Sequence, residues 1–509
     1  MSRALVALSL GLVVFRVLSA AFVVTQPGFT DAFYYVDVAQ RLAHGQGLTA
    51  DFVWNFLEAP RLADLPVPSH RFWMPLATVV QATGIGLLEP VLGTFRSAQA
   101  AIIAVAAFVP AATYVSARSI GASSRAALVA SALAGLGGFT FAPAWVTLDS
   151  FAIAALVGTF FFVAFGRAAA GDVRAGAIAG ALVGLLFLAR AEGALFGVAL
   201  LALAIRPSSR VAGIAGSAVA LAIGLAWLVR GLALPGSPAT ALAKGVLLVR
   251  YEDFFALTPS GTADLATLIG VRLTALWSDL VVALAALLLF LVVPLALGLR
   301  TGWHLPAVRA FAAIALLIYV AEGVIWPLHA TRGSYFHSLA AFFPFAMALV
   351  ALGGETWLAR LEPTARRLVT YGTLGAVTVL AVFGLSNWDG SFNVGSRLRA
   401  DAVEAIPAGP FLAIDGAAWR WIADRPVLVT PSDGLDAAGC VAARYGAKSV
   451  VLEAAHFSAY DELYRGGTAP WLAPPVERGS IRIYPLRTDV GISCSVRASP
   501  DTGRAATLP

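Results

Sequence analysis

Two carboxylates, with basic and aromatic side chains around them, are the groups in this sequence that could do chemistry. Asp31 lies in Thr30-Asp31-Ala32-Phe33-Tyr34-Tyr35, directly after the first hydrophobic segment. A carboxylate there is a candidate general base, able to take the proton of an attacking hydroxyl held within hydrogen-bond reach. Tyr34 and Tyr35, three and four residues on, share its helical face and could shape a sugar pocket. The plainer reading is a helix N-cap, because Asp31 follows Pro27-Gly28 and precedes a helical run. Asp149 has the same two readings: a cap for the helix beginning at Ser150, or a second acid that orients an acceptor. Two convergent carboxylates could also hold a divalent cation. No tight ligand spacing is present, so no metal site is assigned and the cation stands as an alternative.

Two basic clusters accompany the acids. His70-Arg71-Phe72-Trp73-Met74-Pro75-Leu76 joins positive and aromatic groups. It reads either as an interfacial belt with a snorkelling arginine or as a contact for a lipid-linked phosphate, through His70 and Arg71. His329-Ala330-Thr331-Arg332-Gly333-Ser334-Tyr335-Phe336-His337 sets His329, Arg332, Tyr335 and His337 between two apolar segments, with the same two readings. Arg332 is the best phosphate ligand there, since guanidinium is permanently charged and matches phosphate oxygens. His337 joins it. Arg16, Glu322, Arg190 and Glu192 lie in or beside apolar segments, where structural pairing is the expected role.

The elements that must position these groups are hydrophobic. Of the 509 residues 59% are hydrophobic and 13% charged, and the mean hydropathy is +0.81. Soluble domains carry roughly a quarter charged residues, so this apolar surplus implies many membrane spans. The net charge of +6 is spread between apolar runs, which argues for membrane topology and against nucleic acid. At about 20 residues per crossing, the chain predicts about eleven spans. They fall near 4–24, 94–117, 124–141, 150–167, 175–189, 193–205, 211–229, 273–299, 308–326, 338–354 and 368–386. Arg16 interrupts the first, which is read as a retained helix rather than a cleaved leader.

Alternate connections collect arginine, as at Arg118 and Arg125, Arg167 and Arg174, and Arg366 and Arg367, while Asp31, Asp37, Asp51 and Asp149 fall on the other side. The positive-inside rule then places the N-terminus inside and the C-terminal part outside. Residues 1–386 form the membrane domain, with outer loops at 25–93, 230–272 and 327–337. Beyond it, short β-type runs at 411–414, 427–429, 450–452 and 481–484 alternate with helical stretches. They predict a small extracytoplasmic α/β domain over 387–509. Both cysteines, Cys440 and Cys494, lie in it, and spacing alone does not decide whether they pair.

In this order the motifs resemble the GT-C class of membrane glycosyltransferases, especially bacterial relatives of protein O-mannosyltransferases and of the aminoarabinose transferase. The stretch from Asp31 to Leu48 looks like the acidic first loop of that class, and Trp73-Met74-Pro75-Leu76 like the segment entering its interfacial helix. Leu188-Ala189-Arg190-Ala191-Glu192-Gly193 looks like its Thr-Arg-Pro-Glu-Gly turn, with Ala191 in place of proline. Tyr251-Glu252-Asp253-Phe254-Phe255 and Phe336-His337-Ser338 extend the likeness more loosely, and Ala32 stands where many relatives carry a second acid.

The resemblance implies an inverting glycosyltransferase of the plasma (inner) membrane, with Asp31 as the base and Asp149 as the second acid. Its donor is a polyprenyl-phosphate sugar, its acceptor an extracytoplasmic glycan, lipid or protein. His70, Arg71, Arg332 and His337 would meet the phosphate, and Tyr34, Tyr35 and Tyr251 the sugar. A phosphate leaving group stabilised by cations needs no acid to protonate it, so one base suffices. The competing readings are a transporter or flippase of lipid-linked sugars, which predicts paired repeats or helices broken at the midplane, and a non-catalytic envelope-binding scaffold.

Overall fold

The computed structural model describes residues 3–56, 64–71, 73–234, 246, 248–258 and 263–492. They divide into two compact units. The first comprises Met1–Thr49, Pro68–Val249 and Thr262–Ser396, and the second Ala50–Val67, Arg250–Gly261 and Arg397–Pro509.

The first unit is helical. Among the described residues seven helices are long and apolar enough to cross a membrane, or eight if Ser124–Leu136 and Gly138–Ala144, bent by 66°, count as one span. The bend falls at Gly137, which takes a left-handed φ of 72°. The other three expected spans coincide with shorter apolar helices, Val173–Ala189, Ala191–Ala204 and Phe343–Leu358. The stretch expected as one long span at 273–299 is two helices, Leu265–Ala286 and Val292–Gly302.

Close packing replaces a hydrophobic driving force inside a membrane, and small residues permit it. Val173–Ala189 and Arg210–Ala233 meet at Gly176 and Gly180, where an added Cβ would collide with the carbonyls of Ala212 and Gly216. The charge expected to need a partner has one: Arg16, 1% exposed, donates to the carbonyls of Ala106 (2.8 Å) and Gly135 (3.2 Å). Glu322, fully buried, accepts from Ser338 Oγ at 2.6 Å.

The second unit is built on a six-stranded sheet in which Phe52–Val53, Val427–Val429, Phe411–Ala413, Ser449–Leu452, Ile481–Pro485 and Val476–Arg478 lie side by side. The first four are parallel and the last two pair antiparallel. Phe411–Ala413, Val427–Val429 and Ser449–Leu452 are buried throughout, as parallel strands covered on both faces must be. Helices Gly416–Ala423 and Leu435–Tyr445 provide the crossovers. The sequence places this domain at 387–509, whereas the compact unit resumes at Arg397 and takes an edge strand from the first outer loop. The second outer loop also joins it, through Thr258 N–H to Asp433 (3.0 Å) and Ser432 Oγ to the Glu252 carbonyl (2.6 Å). Cys440 is buried on Leu435–Tyr445, and Cys494 lies outside the described residues.

Candidate functional site

Three segments far apart in sequence converge in the first unit. Asp31 sits in the first turn of the helix Thr30–Ala43. Asp149 sits in the turn before Phe151–Ala168, and His337 on the short helix Ser334–Leu339. One ligand atom from each lies within 4.8 Å of the others. His337 is the hinge of the cluster. Its Nε2 is 3.0 Å from Asp149 Oδ2 and 3.7 Å from Asp31 Oδ2, and its Nδ1 is 2.8 Å from the Gly333 carbonyl. A carbonyl only accepts, so Nδ1 carries a hydrogen and Nε2 is the atom turned to both acids. Phe151 stacks on the ring at 4.3 Å and Phe29 meets it edge-on at 6.1 Å.

Exposure separates the acids. The Asp31 side chain is 25% exposed and that of Asp149 is 0%. Asp149 Oδ1 is also held by Ser150, through its backbone N–H and its Oγ (3.0 Å). Burial raises the Asp31 pKa; His337 opposes this, and the neighbouring Asp149 charge adds to it, leaving a net rise. Burial pushes Asp149 the same way, but His337 and Arg190 outweigh it and hold the carboxyl below its ordinary value. For His337, burial favours the neutral ring, yet Asp149 wins and raises the pKa. A pair of acids sharing one cation thus splits into a fixed anion and a proton acceptor.

The same geometry suits a divalent cation. Two carboxylates and an imidazole whose other nitrogen is anchored on a carbonyl form a reasonable donor set, with Nε2 free to ligate once its proton leaves. A proton or a cation could occupy that position.

Arg190 supplies a second buried positive charge. It donates to Glu192 (3.2 Å) and Ser334 Oγ (3.0 Å), and Ser334 Oγ donates to Glu192 at 2.8 Å. With Glu192, His337, Ser338, Phe196 and Ile318 it lines a small cavity. The expected structural pairing of Arg190 with Glu192 is present, and the pair sits beside the acid cluster.

Other expected site residues lie elsewhere. His70 is 2% exposed and edge-on to Tyr34 at 5.3 Å. Burial pushes its pKa to about 3, which disfavours the charged form expected of a phosphate contact. Both ring nitrogens of His337 face partners within the cluster, the two acids and the Gly333 carbonyl. Tyr34 is buried against Trp73 at 4.2 Å, with its hydroxyl accepting from His70 N–H at 2.6 Å. Tyr35 is 1% exposed, so both tyrosines are packing groups on the Asp31 helix rather than an open sugar pocket. Arg71 is half-buried near Arg230, whose guanidinium donates to the Ser69 carbonyl at 3.0 Å. Arg332 is exposed in the turn before Ser334–Leu339. Tyr251 belongs to the second unit, packed on Phe254 and Phe255 at 5.5 Å.

No protein-family model matches the chain, and no curated protein matches it in sequence. Solved structures do. ArnT from Cupriavidus metallidurans, bound to undecaprenyl phosphate, superposes with a TM-score of 0.57 at 14% identity, over 95% of this chain and 98% of that one. The oligosaccharyltransferase of Archaeoglobus fulgidus, tethered to an acceptor peptide, gives 0.51 at 14% identity, over 88% of this chain and 68% of that one. The same archaeal enzyme with an inhibitory peptide and a dolichol-phosphate gives 0.50. This chain has their fold. Together with its apolar helices, that makes it a multi-pass membrane protein of GT-C architecture.

Two features of the site escape a reading of the sequence. The bond between His337 and Asp149 joins residues 188 apart, and no local spacing announces it. The nearness of Arg190 to the acids could have been suspected from its cost, since an ionisable group beside an apolar helix commonly faces a cavity or a partner.

Proposed function

We propose that the protein transfers a sugar from a polyprenyl-phosphate donor to a hydroxyl-bearing acceptor at the outer face of the plasma membrane. The convergence of Asp31, Asp149 and His337, with Asp31 alone open to solvent, carries this reading. Asp31 takes the proton of the acceptor hydroxyl as it attacks the anomeric carbon. The phosphate departs on the opposite side, so the sugar is inverted. A base works best with a pKa near the ambient pH, and the raised pKa of Asp31 moves it that way. Asp149 touches no substrate; buried beside His337, it holds the imidazole that orients Asp31. If a divalent cation joins the site, Asp31, Asp149 and His337 hold it, and it would supply positive charge to the reacting oxygens.

Guanidinium is well matched to a departing phosphate, and Arg71, beside Arg230, and the exposed Arg332 are the residues assigned to meet it. The arginine-rich connections support an N-in arrangement with the second unit outside. The undecaprenyl phosphate bound to ArnT and the dolichol-phosphate bound to the archaeal enzyme support the lipid-phosphate donor by likeness of fold.

The reading is tested by mass spectrometry of envelope glycans, glycolipids and glycoproteins from strains with and without the protein. Loss of one glycoform together with accumulation of one polyprenyl-phosphate sugar is expected. An unchanged profile with the same lipid pool would exclude the transfer.

A further inference from the structure

The segments that carry the two acids share an anchor upstream of the site. Gln99, on the long helix Leu76–Ala106, donates through Nε2 to the Val24 carbonyl at 2.9 Å and to the Val146 carbonyl at 3.1 Å. Its Oε1 accepts from Arg96 Nη1 at 2.6 Å, and that guanidinium nitrogen also donates to the carbonyls of Ala20 (2.6 Å) and Val24 (3.3 Å). Gln99, Val24 and Val146 are each at most 1% exposed. Val24 precedes Asp31 by seven residues, and Val146 precedes Asp149 by three. Val24 and Val146 also pack in one apolar cluster with Ala20, Ala142, Leu385 and Trp388.

Apolar packing alone lets two backbones slide past each other. The two N–H groups of a carboxamide point in fixed directions, so one amide on two carbonyls sets their separation. We propose that Gln99 is a positioning residue that fixes the spacing of Asp31 and Asp149 by bridging the Val24 and Val146 carbonyls. The inference rests on the reaction proposed above. Gln99 reaches neither substrate nor the reacting atoms, so its effect passes through the acids. A misplacement of about 1 Å in such a site costs on the order of 100-fold in rate.

The test uses right-side-out envelope vesicles from a strain carrying only the plasmid-borne full chain, with the strain's own extracted polyprenyl-phosphate sugars as donor. Gln99→Met keeps the length of the side chain and removes both N–H donors. Per inserted molecule, kcat should fall roughly 10- to 100-fold while KM for the donor fraction stays within about twofold. In an Asp149→Asn background the same substitution should cost less than about twofold, because two changes acting through one geometry do not add. A wild-type kcat, or the same loss in both backgrounds, would overturn the proposal. If Gln99→Met does not insert, Arg96→Lys, which disturbs the group orienting the amide, is read by the same comparison. A loss absorbed by Asp149→Asn supports the bridge, and a loss that persists overturns it. Asp31→Asn in the same vesicles separates the two claims. Full transfer by that variant would sink the reaction itself, whereas a dead Asp31→Asn beside an unaffected Gln99→Met would sink only the role of Gln99.

Discussion

Asp31 keeps a quarter of its side chain open while Asp149 keeps none, and that difference gives them different work. Asp149→Asn preserves shape and the contact with Ser150 but removes the charge that raises the His337 pKa. Transfer should fall roughly 100-fold, within the range expected when acid–base orientation is lost, with the protein still inserted. Initial rates in vesicles check this; a change under twofold would detach Asp149 from the mechanism. His70 supplies the converse. Being buried, with its charged form disfavoured, it should matter for stability and not for the donor. His70→Gln is expected to cost roughly 1–3 kcal/mol of folding stability, seen as a lower unfolding temperature, with donor KM unchanged. A raised KM at unchanged stability would return His70 to the phosphate site. Asp31 and Asp149 were legible in the sequence because carboxylates are scarce at turns between apolar segments. Tyr34 and Tyr35 were read correctly as neighbours on a helix and incorrectly as a pocket, since helical phase does not say whether a face meets solvent or a second layer.

The helix that carries Asp31 starts two residues earlier than a cap at Asp31 would require. Phe29 is its N-cap, without a side-chain hydrogen bond, and Asp31 lies in the first turn, where its charge still opposes the helix dipole favourably. The entry to this helix is fixed by packing. Gly28 takes a φ of 105° and lies flat against Trp388, where an added Cβ would overlap the indole ring. Phe29 then meets Trp388 edgewise and Phe392 at a tilt, each at 5.9 Å. Gly28→Ala should therefore cost roughly 2 kcal/mol or more through both backbone strain and overlap. Thermal unfolding in detergent measures it, and an unchanged midpoint would mean the ring gives way freely. Apolar run length placed every expected span on helical segments, although 124–141 and 273–299 are each two helices. The runs at 175–189 and 193–205 are already short in the sequence and fall on the short helices Val173–Ala189 and Ala191–Ala204; the shortness of Phe343–Leu358 was less legible. Hydropathy registers composition, while helix ends are decided by caps such as Asp172, whose carboxylate accepts from Ala175 N–H at 2.9 Å.

On the scale of the whole chain, the second unit is assembled from three stretches of sequence. The strands at 411–413, 427–429, 449–452 and 481–485 were readable as β-branched and apolar runs. The two-residue strand Phe52–Val53, some 370 positions upstream of the strand it pairs with, was not, because so short a run has no period to detect. Expressed alone, residues 397–492 would lack that edge strand and the segment that bonds to Ser432 and Asp433. Limited proteolysis should cut the fragment within the unit at protease levels the full chain resists. Equal resistance would show the borrowed pieces to be dispensable.

The claim on which the account turns is that Asp31 is the base of a sugar transfer, and complementation tests it most directly. A strain lacking the protein is given back either the wild-type chain or Asp31→Asn, at matched levels of inserted protein, and the missing glycoform is quantified by mass spectrometry. The wild type is expected to restore it, and Asp31→Asn to restore less than about one hundredth as much, the scale of a lost general base. Full restoration by Asp31→Asn would contradict the account.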